Sequence, residues 1–153
     1  MTVHHWHWSD TLARRDLEIE VAASTSHTEM GAHDHDFLEI VLIVGGSAIH
    51  ETLYGRRPIG GGDAFVIRPG AWHGYAACEQ LSLVNCAFKP ELLERELLWL
   101  AEEPRLRFLL WPGEGDGLVA LKLSAEAVAA CRAAMNSPTR RARSSARSGS
   151  AAC

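Results

Sequence analysis

The sequence predicts a mainly β domain, a small barrel or sandwich, followed by a short helical part. Turn signals recur at Gly45-Gly46, Tyr54-Gly55, Gly60-Gly61-Gly62 and Pro69-Gly70. Short apolar runs lie between them: Phe37 to Val44, Ala48 to Leu53, Ala64 to Ile67 and Leu81 to Phe88. Strands of this length and spacing, broken by glycine and proline, are the signature of an antiparallel sandwich or barrel. After residue 88 the pattern lengthens to a helical one.

Taken in order, residues 1–16 form an N-terminal arm. His4-His5-Trp6-His7-Trp8 is dense in imidazole and indole and holds no signal-peptide core, which argues against secretion. It suits adventitious metal binding. Residues 17–88 are the barrel. Residues 89–135 form a helical dimerisation or linker region. Pro90 followed by Glu91 to Leu100 opens a helix with acids in its first turn. Arg105 to Trp111 reads as a further strand, stopped by Pro112-Gly113. Ser124 caps a last helix from Ala125 to Met135, with Val128, Cys131, Ala134 and Met135 near one face. Such short helices need a partner surface, so self-association is expected, most simply as a homodimer. Residues 136–153 turn abruptly to Ser, Arg, Ala and Gly. They cannot bury enough apolar surface to offset ordering entropy, and disorder is expected.

The formal charge is −4, but Arg140, Arg141, Arg143 and Arg147 all lie in that tail, leaving −8 on residues 1–135. An acidic body would repel phosphate, which argues against nucleic-acid binding by this domain. No apolar run reaches the roughly 20 residues of a membrane span. Cys78, Cys86, Cys131 and Cys153 show no CxxC spacing, which suits a reducing cytoplasm.

The chemistry concentrates in His33-Asp34-His35-Asp36-Phe37-Leu38-Glu39, which runs into Ile40 to Val44 and Gly45-Gly46. Residues two apart on a strand share a face. His33, His35, Phe37, Glu39, Val41 and Ile43 should therefore point inward together. His73, in Pro69-Gly70-Ala71-Trp72-His73-Gly74-Tyr75, can join them from a neighbouring strand. His33, His35, Glu39 and His73 are suitable ligands for Zn, Mn, Fe or Ni with a position left open. The same groups can instead hydrogen-bond a sugar. Glu39, if buried, needs a metal, a protonated His or a ligand hydroxyl. His50 alternates with Ile49 and Glu51 and can face the pocket. Trp72 and Tyr75 can stack on a sugar ring or simply pack in the core.

These residues resemble the cupin superfamily. HxHxxxE followed by six residues and then Gly46 resembles its first motif, and Gly62-Asp63 with Pro69-Gly70 and His73 resembles its second. The second motif is one residue longer than in the enzyme-like pattern, and Ala77 stands where Asn is expected. His35 to Glu39, Gly62 to Gly70, Trp72 to Tyr75 and Leu81 to Pro90 are similar to the N-terminal domain of AraC-type transcriptional regulators, the rhamnose- and arabinose-sensing members above all. The resemblance implies a cupin-type double-stranded β-helix with helices after it. It implies a domain that binds a small sugar or polyol through His33, His35, Glu39, His50, Trp72, His73 and Tyr75. It also implies an N-terminal arm closing over the pocket. In such regulators a linker and two helix-turn-helix units follow, and DNA is contacted only through them. The composition change at Asn136 stands where they would begin, so truncation or a frame change is expected there. The resemblance leaves one alternative, a metal-dependent cupin enzyme acting as dioxygenase, isomerase or epimerase.

Overall fold

A computed structural model describes residues 2–11, 18–111 and 117–136 of the chain. Residues 1, 12–17, 112–116 and 137–153 lie outside them, and with these the end of the expected arm, Pro112-Gly113 and the expected tail beyond Asn136.

The strands are β1 (His4–Trp6), β2 (Ile19–Ser24), β3 (Met30–His35), β4 (Leu38–Thr52), β5 (Gly55–Gly60), β6 (Asp63–Ile67), β7 (His73–Phe88) and β8 (Leu118–Lys122). The helices are α1 (Trp8–Thr11), α2 (Pro104–Leu110) and α3 (Ala125–Asn136). All eight strands belong to one sheet in the order β1-β3-β7-β4-β6-β8, with β2 also on β7 and β5 also on β4. Two long strands make this a two-layered barrel. Leu38 to Ile43 of β4 pairs with Leu83 to Phe88 of β7, flanked by β6 and β2. Ile49 to Thr52 pairs with His73 to Ala76, flanked by β5 and β3. The mainly β, cupin-type barrel followed by helices is therefore the fold.

The runs 37–44 and 48–53, expected as separate strands, are one bent strand. Gly45-Gly46 is its bend and not a chain-reversing turn. The β4–β7 register slips between Ile43 and Ile49, and Gly46 takes φ 70°, open mainly to glycine. A Cβ there would lie 2.2 Å from the Gln80 carbonyl oxygen. The Leu81 to Phe88 run is likewise the second half of a longer strand.

Alternation along β4 then sorts two cores. Val41 and Ile43 point inward with Phe65, Ile67, Leu81, Leu83 and Tyr75. Leu38, with Ile40 beside it, points outward with Val66 and Phe88, where Leu92, Leu93 and Leu110 cover it. Leu42, Val44 and Ala64 face outward too, against Leu121 and, on α3, Val128 and Cys131.

The helical region departs from expectation in three places. The segment after Pro90 is two 3₁₀ turns, Pro90–Glu94 and Leu98–Glu102, because Arg95 leaves helical geometry at φ −125°, ψ −98°. Residues 105–111, expected as a strand, are mostly helix α2. Pro104 starts it, the Glu103 carboxylate accepts from the Arg105 amide, and Leu106, Leu109 and Leu110 turn inward at helical spacing. Strand β8, an unpunctuated apolar run with no period of its own, pairs with β6 and was not anticipated.

Candidate functional site

Buried imidazoles gather inside the barrel. His33, His35, His50 and His73 are each at most 3% exposed, and Glu39 is 8% exposed. Strand alternation delivers them: His33 and His35 end β3, Glu39 begins β4, His50 lies near the end of β4, and His73 opens β7. Pairing places His33 opposite His73. Gly74, next to His73, sits so close to β3 that a Cβ would lie 2.9 Å from the Met30 carbonyl oxygen. That close approach brings His73 to its neighbours.

Glu39 is the hub. Its Oε2 is 3.4 Å from His35 Nε2 and 3.5 Å from His73 Nε2. Ligand atoms of His35, Glu39 and His73 lie within 4.8 Å of one another, close enough to share an ion. His35 Nδ1 donates to the Phe37 carbonyl at 2.7 Å, which turns Nε2 towards the carboxylate. His33 takes a different place. Its Nδ1 donates to the Gly31 carbonyl at 2.9 Å, its ring stacks on Trp6 at 4.2 Å, and it is outside the three-ligand group.

Burial dominates the protonation of this cluster. His73 is held well below the usual imidazole range by loss of hydration, reinforced by His33, His50 and His35 around it. His50 is lowered to about 4 by burial, then by Arg57 and His33. His33 is lowered by burial too, with Glu39 and its backbone bond acting the other way. Burial raises the Tyr75 hydroxyl well above the usual phenol range. Burial thus favours the neutral imidazole at His33, His50 and His73 and the neutral phenol at Tyr75. His50 stacks against Tyr75 at 5.2 Å and stands 5.7 Å from His73. Trp72 is not in this group: it lines an outer cavity with Pro69, Gly70 and Leu118.

The N-terminal segment closes one side. Strand β1 runs parallel to β3, with Trp6 opposite His35. His5 contacts the Asp34 carboxylate, and His7 stands 3.0 Å from that of Asp36. Trp8 is 7% exposed and packs edge-on to Phe37. Beneath Trp6 lies a cavity of about 100 Å³, bounded by Glu20, Ala22, His35, Glu39, Asn85 and Ala87 among others. Glu20 Oε2, His35 Nε2 and Asn85 Oδ1 are buried there without hydrogen-bond partners. Glu20 and Asn85 were not among the expected residues. Asn85 was findable: it follows Leu81 and Leu83 on the inward face of β7, a polar residue on an apolar stripe. Glu20 enters only through the pairing of β2 with β7.

A family model described as the AraC-like ligand binding domain matches residues 19–150. The chain is 31% identical over 98 residues to the HTH-type transcriptional activator RhaR of Enterobacter sp. (strain 638), covering 63% of this chain and 34% of that protein. It is 33% identical over 95 residues to RhaR of Klebsiella pneumoniae, covering 61% and 33%. The chain thus matches about a third of the length of these curated relatives. Among solved structures, ToxT from Vibrio cholerae superposes with a TM-score of 0.52 at 10% identity, over 78% of this chain and 47% of that one, a likeness of fold.

Proposed function

The chain belongs to the family of AraC-like ligand binding domains, and on that premise we propose that it is the effector-sensing part of a transcriptional regulator, holding a small sugar or polyol inside the barrel. The observation that carries this reading is the cavity beneath Trp6. Three buried polar atoms without partners, on Glu20, His35 and Asn85, line it beside Glu39. Leaving such atoms unpaired costs about 1–3 kcal/mol each. A polyol offers hydroxyls that both donate and accept, and so can repay all of them together. The Trp6 indole over the same cavity supplies the flat apolar surface that a sugar ring covers. An effector bound there would favour the docked arm, and a ligand shifts an equilibrium only by binding one state better than another. The domain binds its effector without turning it over.

Self-association belongs to the same reading. Leu98, Trp99 and Phe108 are 53%, 64% and 69% exposed on the helical side, and they are assigned to the meeting of two copies. Specific DNA contact is assigned to other parts of such a regulator, since the acidic body disfavours it.

Titration calorimetry with L-rhamnose, L-arabinose and glycerol tests the proposal. Saturable binding of at least one, weakened by Asn85→Leu, with the compound recovered unchanged, is the expected result. No binding of any of them, or chemical conversion, would overturn it.

One observation favours a second component. His35 Nε2 and the Glu39 carboxylate face each other, with His73 Nε2 alongside, a ligand set suited to a cation. Zn, Mn, Fe or Ni fits this three-ligand set, with an open position for a ligand hydroxyl and Lewis-acid polarisation as the chemistry supplied. Elemental analysis of untagged protein, compared with His73→Ala, tests it: stoichiometric metal lost in the variant supports it, and metal-free wild type refutes it.

A further inference from the structure

A second cavity, of about 240 Å³, opens on the flank of the barrel. Its walls include His50 and Thr52 from β4, Arg57 from β5, Phe65 from β6, and Leu118 and Ala120 from β8. It shares no lining residue with the cavity beneath Trp6. We propose that this slot is a separate binding site for a small organic monocarboxylate, with Arg57 holding the carboxylate and Phe65, Leu118 and Ala120 covering the apolar body.

The argument starts with the charges. Arg56 is committed, its Nε 2.7 Å from the Glu51 carboxylate. Arg57 is held more loosely: its guanidinium forms an ion pair with Asp63 Oδ1 at 3.6 Å, beyond hydrogen-bonding distance. Asp63 already has Lys122 at 3.3 Å and the Gly60 amide at 2.7 Å. The Arg57 side chain is half exposed and lies 5.4 Å over the Phe65 ring, so its fork of N–H donors is placed at the slot with capacity to spare. A guanidinium fork matches a carboxylate in two parallel hydrogen bonds. Arg57 and Lys122 share the single Asp63 carboxylate, and the one positive charge left over matches one negative charge, which favours a monocarboxylate over a doubly charged phosphate ester.

The depth of the slot agrees. His50 is 1% exposed, and its Nε2 has no partner. That atom can bond a hydroxyl or the second carboxylate oxygen, which a surface ion pair could not use. The remaining wall is aromatic and aliphatic and suits a ring or short chain. This slot shares no lining residue with the cavity beneath Trp6, and it takes His50 from the residues the family resemblance gave to the sugar.

The test uses benzoate as probe, with benzamide and phenyl phosphate as comparison arms, followed by calorimetry and by imidazole and amide NMR shifts on the full chain. Benzoate is expected to shift the signals of His50, Arg57 and Leu118, and to bind at least about tenfold more tightly than either comparison compound. Arg57→Gln should weaken it by about tenfold or more, while Arg105→Gln, on α2 and not among the slot's walls, should change it by less than about twofold. Ala120→Phe, at an exposed position on β8, should block the slot while the far-ultraviolet circular dichroism and urea midpoint stay those of wild type. Equal binding of benzamide, tighter binding of phenyl phosphate, or undiminished binding by Arg57→Gln would overturn the proposal. So would shifts confined to His35 and Asn85, which would place benzoate beneath Trp6 instead.

Discussion

His50 should make the domain acid-sensitive by an amount that a single substitution can isolate. Its imidazole meets Phe65 at 4.3 Å, Tyr75 at 5.2 Å and His73 at 5.7 Å. The charged or ionisable groups that act on it, Arg57 across the β4–β5 ladder and His33 from β3, both oppose a proton. Folding therefore lowers its pKa from 6.5 to about 4. The sign follows. Above the unfolded value both states hold a neutral ring, and His50 contributes nothing to pH dependence. As pH falls below 6.5, the unfolded chain gains a proton that the folded chain refuses, so stability is lost until about pH 4. At about 1.4 kcal/mol per unit, the loss between about pH 7.5 and 4.5 is roughly 2.5 kcal/mol. Urea unfolding of metal-stripped wild type and His50→Leu at both pH values, in a carboxylate-free buffer, measures it. The variant carries its packing change at both pH values, so only the difference of differences matters. Wild type should lose about 2.5 kcal/mol more than the variant on acidification. A double difference under about 0.5 kcal/mol would show that His50 is hydrated or paired, and the neutral interior would have to be abandoned.

Three further outcomes follow from the same geometry. Gly46→Ala places a Cβ 2.2 Å from the Gln80 carbonyl at a residue with φ 70°, and should destabilise the fold by more than about 2 kcal/mol in urea unfolding; a neutral result would mean that the β4 bend is not built as described. Arg68 is 8% exposed and donates to the Phe108 and Leu109 carbonyls at 2.7 and 3.2 Å, at the C-terminal end of α2. Arg68→Met should cost about 1.5–3 kcal/mol and speed proteolysis near residues 104–111, and equal cleavage rates would refute that tether. Trp6→Ala removes the ring stacked on His33 and should accelerate amide exchange in residues 33–35 while leaving global stability within about 1.5 kcal/mol of wild type, as hydrogen-exchange mass spectrometry would report; unchanged exchange would mean that the arm does not cover β3.

The barrel was legible because half-buried strands write their faces into a two-residue period. From His33 to Ile43 every odd residue is buried, and the even ones lean towards the helices or solvent, as the alternation requires. The bend at Gly46 was not legible. Two glycines between apolar runs look the same whether the chain reverses or merely slips register, and only the partner strand decides. Residues 105–111 misled for a related reason. Arg-Leu-Arg-Phe alternates like a strand over four residues, while the helical spacing of Leu106, Leu109 and Leu110 shows only over a full turn. The Pro104 and Glu103 capping signal carried the right answer and outweighs so short an alternation.

The site divides along a similar line. His35, Glu39 and His73 were foreseeable as one cluster, because period-two spacing fixes two of them and the Pro-Gly turn before His73 fixes the third. His33 shows where such reasoning stops. It has the right face and burial, but a local bond to the Gly31 carbonyl and the Trp6 ring decide where its nitrogens point, and neither follows from spacing. Trp72 illustrates the converse. It precedes His73 by one residue, and period two therefore sends it away from the imidazoles and out towards Leu118. Glu20 and Arg57 owe their placement to strand pairing alone. Each sits on a strand that contributes little to the core, and each completes a cavity whose other walls are tens of residues distant in sequence. Sequence periodicity thus reports which residues enter the barrel. Which of them meet a common ligand depends on pairing, which here builds the cavity beneath Trp6 and the slot beside Arg57 with different chemistry.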